Sequence, residues 1–127
     1  MRKNIWGVMI ITSFIFGSCR SATAENTTRT DIKEIVNNSE TILVDVRIPE
    51  QYKEGTADNA VNIPLAEIEN NIDFLKKQKN VVVFCNRGIQ ADKAIEILKK
   101  NGVEHVYDGT TWKNVKAIQH TKSSDNP

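Results

Sequence analysis

Val81-Val82-Val83-Phe84-Cys85-Asn86-Arg87-Gly88-Ile89-Gln90-Ala91 decides how this chain folds. It opens with four apolar residues, three of them β-branched. That pattern reads as a short strand buried on both faces, as in a parallel sheet. Cys85 follows directly, then a mostly polar loop with Gly88, which allows a turn that residues with a Cβ resist. Ala91 to Lys100 reads as a helix, with Ala91, Ala94, Ile95 and Leu98 on one stripe and Asp92, Lys93, Glu96, Lys99 and Lys100 off it. The spacing therefore puts a thiol at the carboxyl end of a strand, facing a helix N-terminus. Ligands bind there in open α/β sheets, and the unpaired N–H groups and dipole favour an anion and a thiolate. A buried core cysteine is the competing reading.

Upstream, Thr41-Ile42-Leu43-Val44-Asp45-Val46-Arg47 is a second buried strand with charges at its carboxyl end. Pro49 suits the start of the helical turn that follows. Ala60-Val61-Asn62-Ile63-Pro64 leads into an amphipathic helix expected over Leu65 to Lys77, with Leu65, Ile68, Ile72 and Leu75 inward. Ile32, Ile35 and Val36 mark a short helix that Thr30 or Asp31 can cap. Downstream, Asn101-Gly102 gives a left-handed stop. Val103 to Tyr107 reads as another strand, and Trp112 as core packing for a last helix. Short apolar strands alternating with amphipathic helices imply parallel βαβ units. The expected fold is an α/β domain with a central, mostly parallel sheet and helices on both faces.

Three stretches together resemble the rhodanese (thiosulfate sulfurtransferase) family, in particular its small, exported, single-domain members. Cys85-Asn86-Arg87-Gly88-Ile89-Gln90 is similar to that family's Cys-x-x-Gly-x-Arg loop, with Gln90 in place of the last Arg. Asp45-x-Arg47 and Asn62-Ile63-Pro64 match two further segments, and Asp108-Gly109-Thr110-Thr111-Trp112 loosely resembles the closing Gly-Gly-x-x-x-Trp. The resemblance implies a rhodanese-like domain over 31–118 and a sulfurtransferase that carries a persulfide on Cys85. Asn86, Arg87, Gly88, Ile89 and Gln90 would bind the donor, and Arg87 is the only cation in the loop. It implies no cofactor; the partners are a small sulfur donor and a thiophilic acceptor. Asp45 and Arg47 read first as a structural pair and second as support for the Cys85 loop. The alternative function is a non-catalytic binding module or a sulfur carrier. A Cys-x5-Arg phosphatase is disfavoured because no arginine closes the loop. A Cys-x-x-Cys oxidoreductase is disfavoured because position 88 is Gly.

Composition narrows the classes further. The chain has 127 residues, room for one domain, and a net charge of +1, which gives no electrostatic case for nucleic acid. His105 and His120 lack partners at ligand spacing, so no metal site is expected. Residues 1–24 read as a signal peptide, with Arg2 and Lys3 before an apolar run from Ile5 to Phe16 that is short for a membrane span. Two cleavage sites compete. Ala22-Thr23-Ala24 suits ordinary signal peptidase. Phe16-Gly17-Ser18-Cys19 resembles a lipobox, which would lipidate Cys19 and attach the protein to a membrane. The expected location is the periplasm or cell envelope, where Cys85 would be a lone free thiol among proteins that normally pair theirs. Residues 25–30 read as a linker and 119–127 as a disordered tail.

Overall fold

The computed structural model describes residues 32–121. The expected signal peptide, Cys19, the linker and the cap at Thr30 or Asp31 lie outside the described residues. The elements in chain order are α1 (residues 32–36), β1 (Thr41–Asp45), α2 (Pro49–Glu54), β2 (Val61–Asn62), a 3-10 segment (Leu65–Asn71), α3 (Ile72–Lys76), β3 (Asn80–Cys85), α4 (Ile89–Lys100), β4 (Val106–Thr111) and α5 (Trp112–Thr121). The strands form one sheet in the order β2-β1-β3-β4, and every pairing is parallel.

Strand β3 is the centre because its side chains are apolar on both faces. Val81, Val83 and Cys85 point into one cluster with Ile68, Leu75, Ala91, Ala94 and Leu98. Val82 and Phe84 point into the opposite cluster with Val36, Val115 and Ile118. The 3-10 segment, α3 and α4 therefore cover one face, and α1 and α5 the other. That is the α/β sandwich expected from the sequence.

Pro49 occupies the first turn of α2, as expected. The stop at Asn101-Gly102 is a Schellman motif. Gly102 has φ 86°, its N–H donates to Lys99 O at 3.2 Å, and the Val103 N–H donates to Leu98 O at 3.0 Å.

Four boundaries differ from the expectation. Helix α4 starts at Ile89, two residues before Ala91, because Gly88 itself takes the left-handed conformation before the first turn. The single helix expected over Leu65 to Lys77 is divided. Asn71 sits at φ −114°, ψ 12°, and its side-chain amide donates to Glu67 O at 2.8 Å, so a side chain competes with the helix ladder. Ile68 and Leu75 are nonetheless fully buried, as the stripe predicted. Residues 119–121 of the expected tail are instead the last turn of α5. Gln119 exchanges hydrogen bonds with the Asp58 backbone, both at 2.9 Å. Residues 122–127 lie outside the described residues.

The fourth difference is β4. The strand expected over Val103 to Tyr107 runs from Val106 to Thr111, so it starts three residues later and takes in Asp108-Gly109-Thr110-Thr111. Val83 pairs with Asp108 and Phe84 with Thr110, so Gly109 is an extra residue in the ladder. A Cβ at Gly109 would lie 2.7 Å from Val115 Cγ2 and 2.9 Å from Val82 Cγ1. Gly109→Ala is therefore expected to cost about 1–3 kcal/mol by overpacking the α5 face. The measurement is a shift of the urea midpoint at constant slope; a wild-type midpoint would contradict this packing.

Candidate active site

The ends of β1 and β3 meet because the two strands are parallel neighbours, with Asp45 opposite Phe84. Both chains leave the sheet at the same edge, β1 into α2 and β3 into the Cys85 loop. The depression between them has a volume of about 410 Å³ and is lined by Gln51, Cys85, Asn86, Arg87, Ile89 and Gln90. Five of these are the expected loop residues. Gln51, on α2, is a residue that sequence reasoning missed; its only signal was that both strands end in a helix on one edge.

Cys85 is 1% exposed, so its sulfur is the floor of this depression. The Gly88 N–H donates to Cys85 Sγ at 2.9 Å. Cys85 Sγ in turn donates to Thr110 O at 3.7 Å. The sulfur is thus held between an amide donor on the loop and a carbonyl acceptor on β4. Gly88 reaches this position with φ 91°, and a Cβ there would meet nothing within 4 Å. The glycine answers a conformational demand, not a packing one. The rim is open: Asn86, Arg87 and Gln90 are exposed, and Ile89 is 63% exposed. Arg87 forms no ion pair among the described residues.

Asp45 and Arg47 do not line the depression; they build the edge behind it. Both are buried, at 0% and 4%. Arg47 Nη2 donates to Asp45 Oδ2 at 2.6 Å and to Gly55 O at 2.6 Å. Arg47 Nε and the Arg47 N–H each donate to Asp45 Oδ1 at 3.0 Å. Thr56 Oγ1 adds a bond to Asp45 Oδ2 at 2.8 Å, and the guanidinium lies 5.2 Å from the Trp112 ring centroid. Asn62 closes the node by donating to Asp45 O and Arg47 O at 3.0 and 2.9 Å. Trp112 packs against the α5-side cluster, as expected.

The carbonyl that faces Cys85 is itself held in an unusual way. Thr110 has φ 63°, a rare conformation for a β-branched residue. Its N–H donates to Asp108 Oδ1 at 2.7 Å. Burial pushes the Asp108 carboxyl above its ordinary value; that bond from Thr110 opposes the rise and the neighbouring Asp92 carboxyl adds to it.

The family model described as Rhodanese-like domain matches residues 28–110. The chain belongs to the rhodanese-like domain family. Thiosulfate sulfurtransferase PspE of Escherichia coli (strain K12) is 40% identical over 74 residues, which cover 57% of this chain and 71% of that protein. The solved structure "rhodanese with anions from E. coli" is 39% identical with a TM-score of 0.54, covering 58% of this chain and 89% of that one. The tRNA uridine(34) hydroxylase of Buchnera aphidicola subsp. Baizongia pistaciae (strain Bp) is 35% identical over 83 residues. Those cover 61% of this chain but 27% of the hydroxylase, so the chain spans about a quarter of that relative's length. The rhodanese-like segment contains both strand ends, the Cys85 loop and Thr110, while α5 lies beyond it.

Proposed function

We propose that this chain is a sulfurtransferase that carries sulfur on Cys85, with thiosulfate or a similar sulfane donor and a small thiophilic acceptor. The observation that carries the reading is the Cys85 sulfur at the floor of an open depression with an amide N–H aimed at it from 2.9 Å. The Cys85 thiolate attacks the outer sulfur of thiosulfate. The S–S bond of the donor breaks, sulfite leaves with the electron pair, and a persulfide remains on Cys85. Cyanide then attacks the terminal sulfur, thiocyanate leaves, and the thiolate is restored, which is a ping-pong cycle. The amides from Asn86 to Gln90 are the natural partners for the persulfide's negative charge.

The test is a thiosulfate:cyanide assay on the mature domain, with intact mass recorded between the half-reactions. The expected result is a gain of one sulfur atom on Cys85 with thiosulfate and its loss with cyanide. A protein that takes up no sulfur from any sulfane donor returns the fold to a binding module. The hydroxylase relatives share this domain over about a quarter of their length.

Arg87 is the cation in position to attract an anionic donor, since Gln90 is neutral. Arg87→Ala is expected to raise the KM for thiosulfate roughly tenfold and to change kcat little, because it removes binding common to ground and transition states. An unchanged KM would leave donor binding to the backbone amides alone.

We also infer export, from Arg2 and Lys3 before the apolar run Ile5 to Phe16 and the two cleavage patterns after it. Among the described residues no helix is long and apolar enough to cross a membrane. The native N-terminus, read by mass spectrometry, is expected at a lipidated Cys19 or near Glu25. Met1 retained on cytosolic protein would refute export.

A further inference from the structure

We propose that Gln51 is a catalytic residue of this site: its carboxamide N–H donates to an oxygen of the sulfite that leaves as Cys85 takes the outer sulfur of thiosulfate. The inference rests on the sulfurtransferase reading and adds a residue from α2, outside the Cys85 loop.

The displacement itself sets where the leaving group stands. The Cys85 thiolate forms a bond to the outer sulfur, the donor's S–S bond breaks in line with it, and the electron pair goes to sulfite. Two sulfur–sulfur bonds end to end put the sulfite sulfur roughly 4 Å from Cys85 Sγ. The Gly88 N–H lies 2.9 Å from Sγ itself, so it serves the sulfur that stays. Cys85 is the buried floor, and the sulfite therefore lies toward the open side, between the walls of the depression. Asn86, Arg87, Ile89 and Gln90 form the loop side of those walls. Among the described residues that line the depression, Gln51 alone comes from another element.

Gln51 is suited to that place. Its side chain is half-buried, and its carboxamide has no hydrogen-bond partner among the described residues; only its backbone N–H is engaged, donating to Ile48 O at 3.1 Å. A free carboxamide offers two N–H donors without adding charge. The support beneath it is fixed: Pro49 sets the first turn of α2, and Tyr52 Oη donates to Ala60 O at 2.9 Å. As the S–S bond breaks, negative charge gathers on the sulfite oxygens. A donor held there binds the transition state better than the ground state, which is what accelerates the step. Arg87 draws the anion in from the loop side, and Gln51 meets the departing oxygens from the α2 side.

The test compares two donors that load the same sulfur. Thiosulfate leaves an oxyanion, whereas inorganic polysulfide leaves a group with no oxygen to accept a hydrogen bond. Gln51→Met keeps the length of the side chain and removes its donors. The thiosulfate-to-polysulfide ratio of sulfur-loading rates, read by intact mass, is expected to fall roughly tenfold in Gln51→Met. Gln51→Lys, which restores a donor at similar reach, is expected to recover at least half of the wild-type ratio. Gln51→Ala takes the place of Gln51→Met if melting shows that the latter does not fold. An unchanged ratio, an equal loss with both donors, or no recovery in Gln51→Lys overturns the proposal. A wild type that loads no sulfur from either donor defeats the sulfurtransferase reading instead. The oxyanion contact is then decided by the ratio of Cys85 alkylation rates with iodoacetate and iodoacetamide, in which the thiolate fraction cancels. That ratio is expected to fall about threefold in Gln51→Met, and an unchanged value overturns the contact as well.

Discussion

Cys85→Ser is expected to give a folded protein that transfers no sulfur. The hydroxyl is smaller than the thiol, and both of its neighbours remain: the Gly88 N–H to donate and Thr110 O to accept. Stability should therefore change little. Reactivity should not survive, because the sulfur nucleophile acts as thiolate and a serine hydroxyl at neutral pH has no equivalent anion. No histidine lines the depression to activate a hydroxyl. A fall in thiocyanate formation on the order of 10⁴-fold or more is expected, as for removal of a covalent nucleophile elsewhere. The mass gain after thiosulfate should vanish as well. Turnover retained by Cys85→Ser at even a tenth of wild type would mean that sulfur passes without a Cys85 persulfide.

The second large effect concerns stability. Asp45→Ala is expected to destabilise the domain by about 3–5 kcal/mol, the cost of stranding one partner of a buried ion pair. Arg47 would keep its bond to Gly55 O and its place over Trp112 but lose its carboxylate. Thr56 Oγ1 and the Arg47 N–H would also lose an acceptor. For a domain of this size each kcal/mol lowers Tm by about 4–8 °C, so the melt should move by tens of degrees. Sulfur transfer by the folded fraction should stay within about twofold of wild type, since neither side chain lines the depression. A variant with wild-type Tm and lost activity would move the pair from scaffold to site.

The parts of this domain that were legible in the sequence have strong local signals. Val81 to Phe84 is uniformly apolar, so strand and double burial followed from composition alone. Asn101-Gly102-Val103 carries its own hydrogen-bond pattern and ended α4 where expected. Cys85 and four of its loop neighbours line the depression because a strand, a glycine and a helix leave little freedom in so short a span. The parts that were not legible are set by tertiary context. Asp108-Gly109-Thr110-Thr111 has the composition of a loop, and it becomes strand because β3 offers a free edge and Gly109 fits beneath Val115. Asn71 splits a helix that hydrophobic spacing alone would continue. Gln51 reaches the site through the register of β1 against β3, which no local pattern encodes. The Thr110 contact to Cys85 is made by a backbone carbonyl, and backbone atoms leave no mark in residue identity.

Strand β3 lies between β1 and β4, with both of its faces covered by helices. The amide hydrogens that bind it to its neighbours are expected to exchange with solvent only when the whole sheet opens, at the free energy of global unfolding. Cys85 closes this strand, so its sulfur is expected to be anchored in the slowest-exchanging unit among the described residues. Asn86, Arg87 and Gln90 stand on the exposed rim beyond it, where opening requires far less. If the chain transfers sulfur as proposed, the sulfur is expected to keep its place while the side chains of Asn86, Arg87 and Gln90 sample conformations around it, and substitutions on this rim are expected to leave the stability of β3 unchanged.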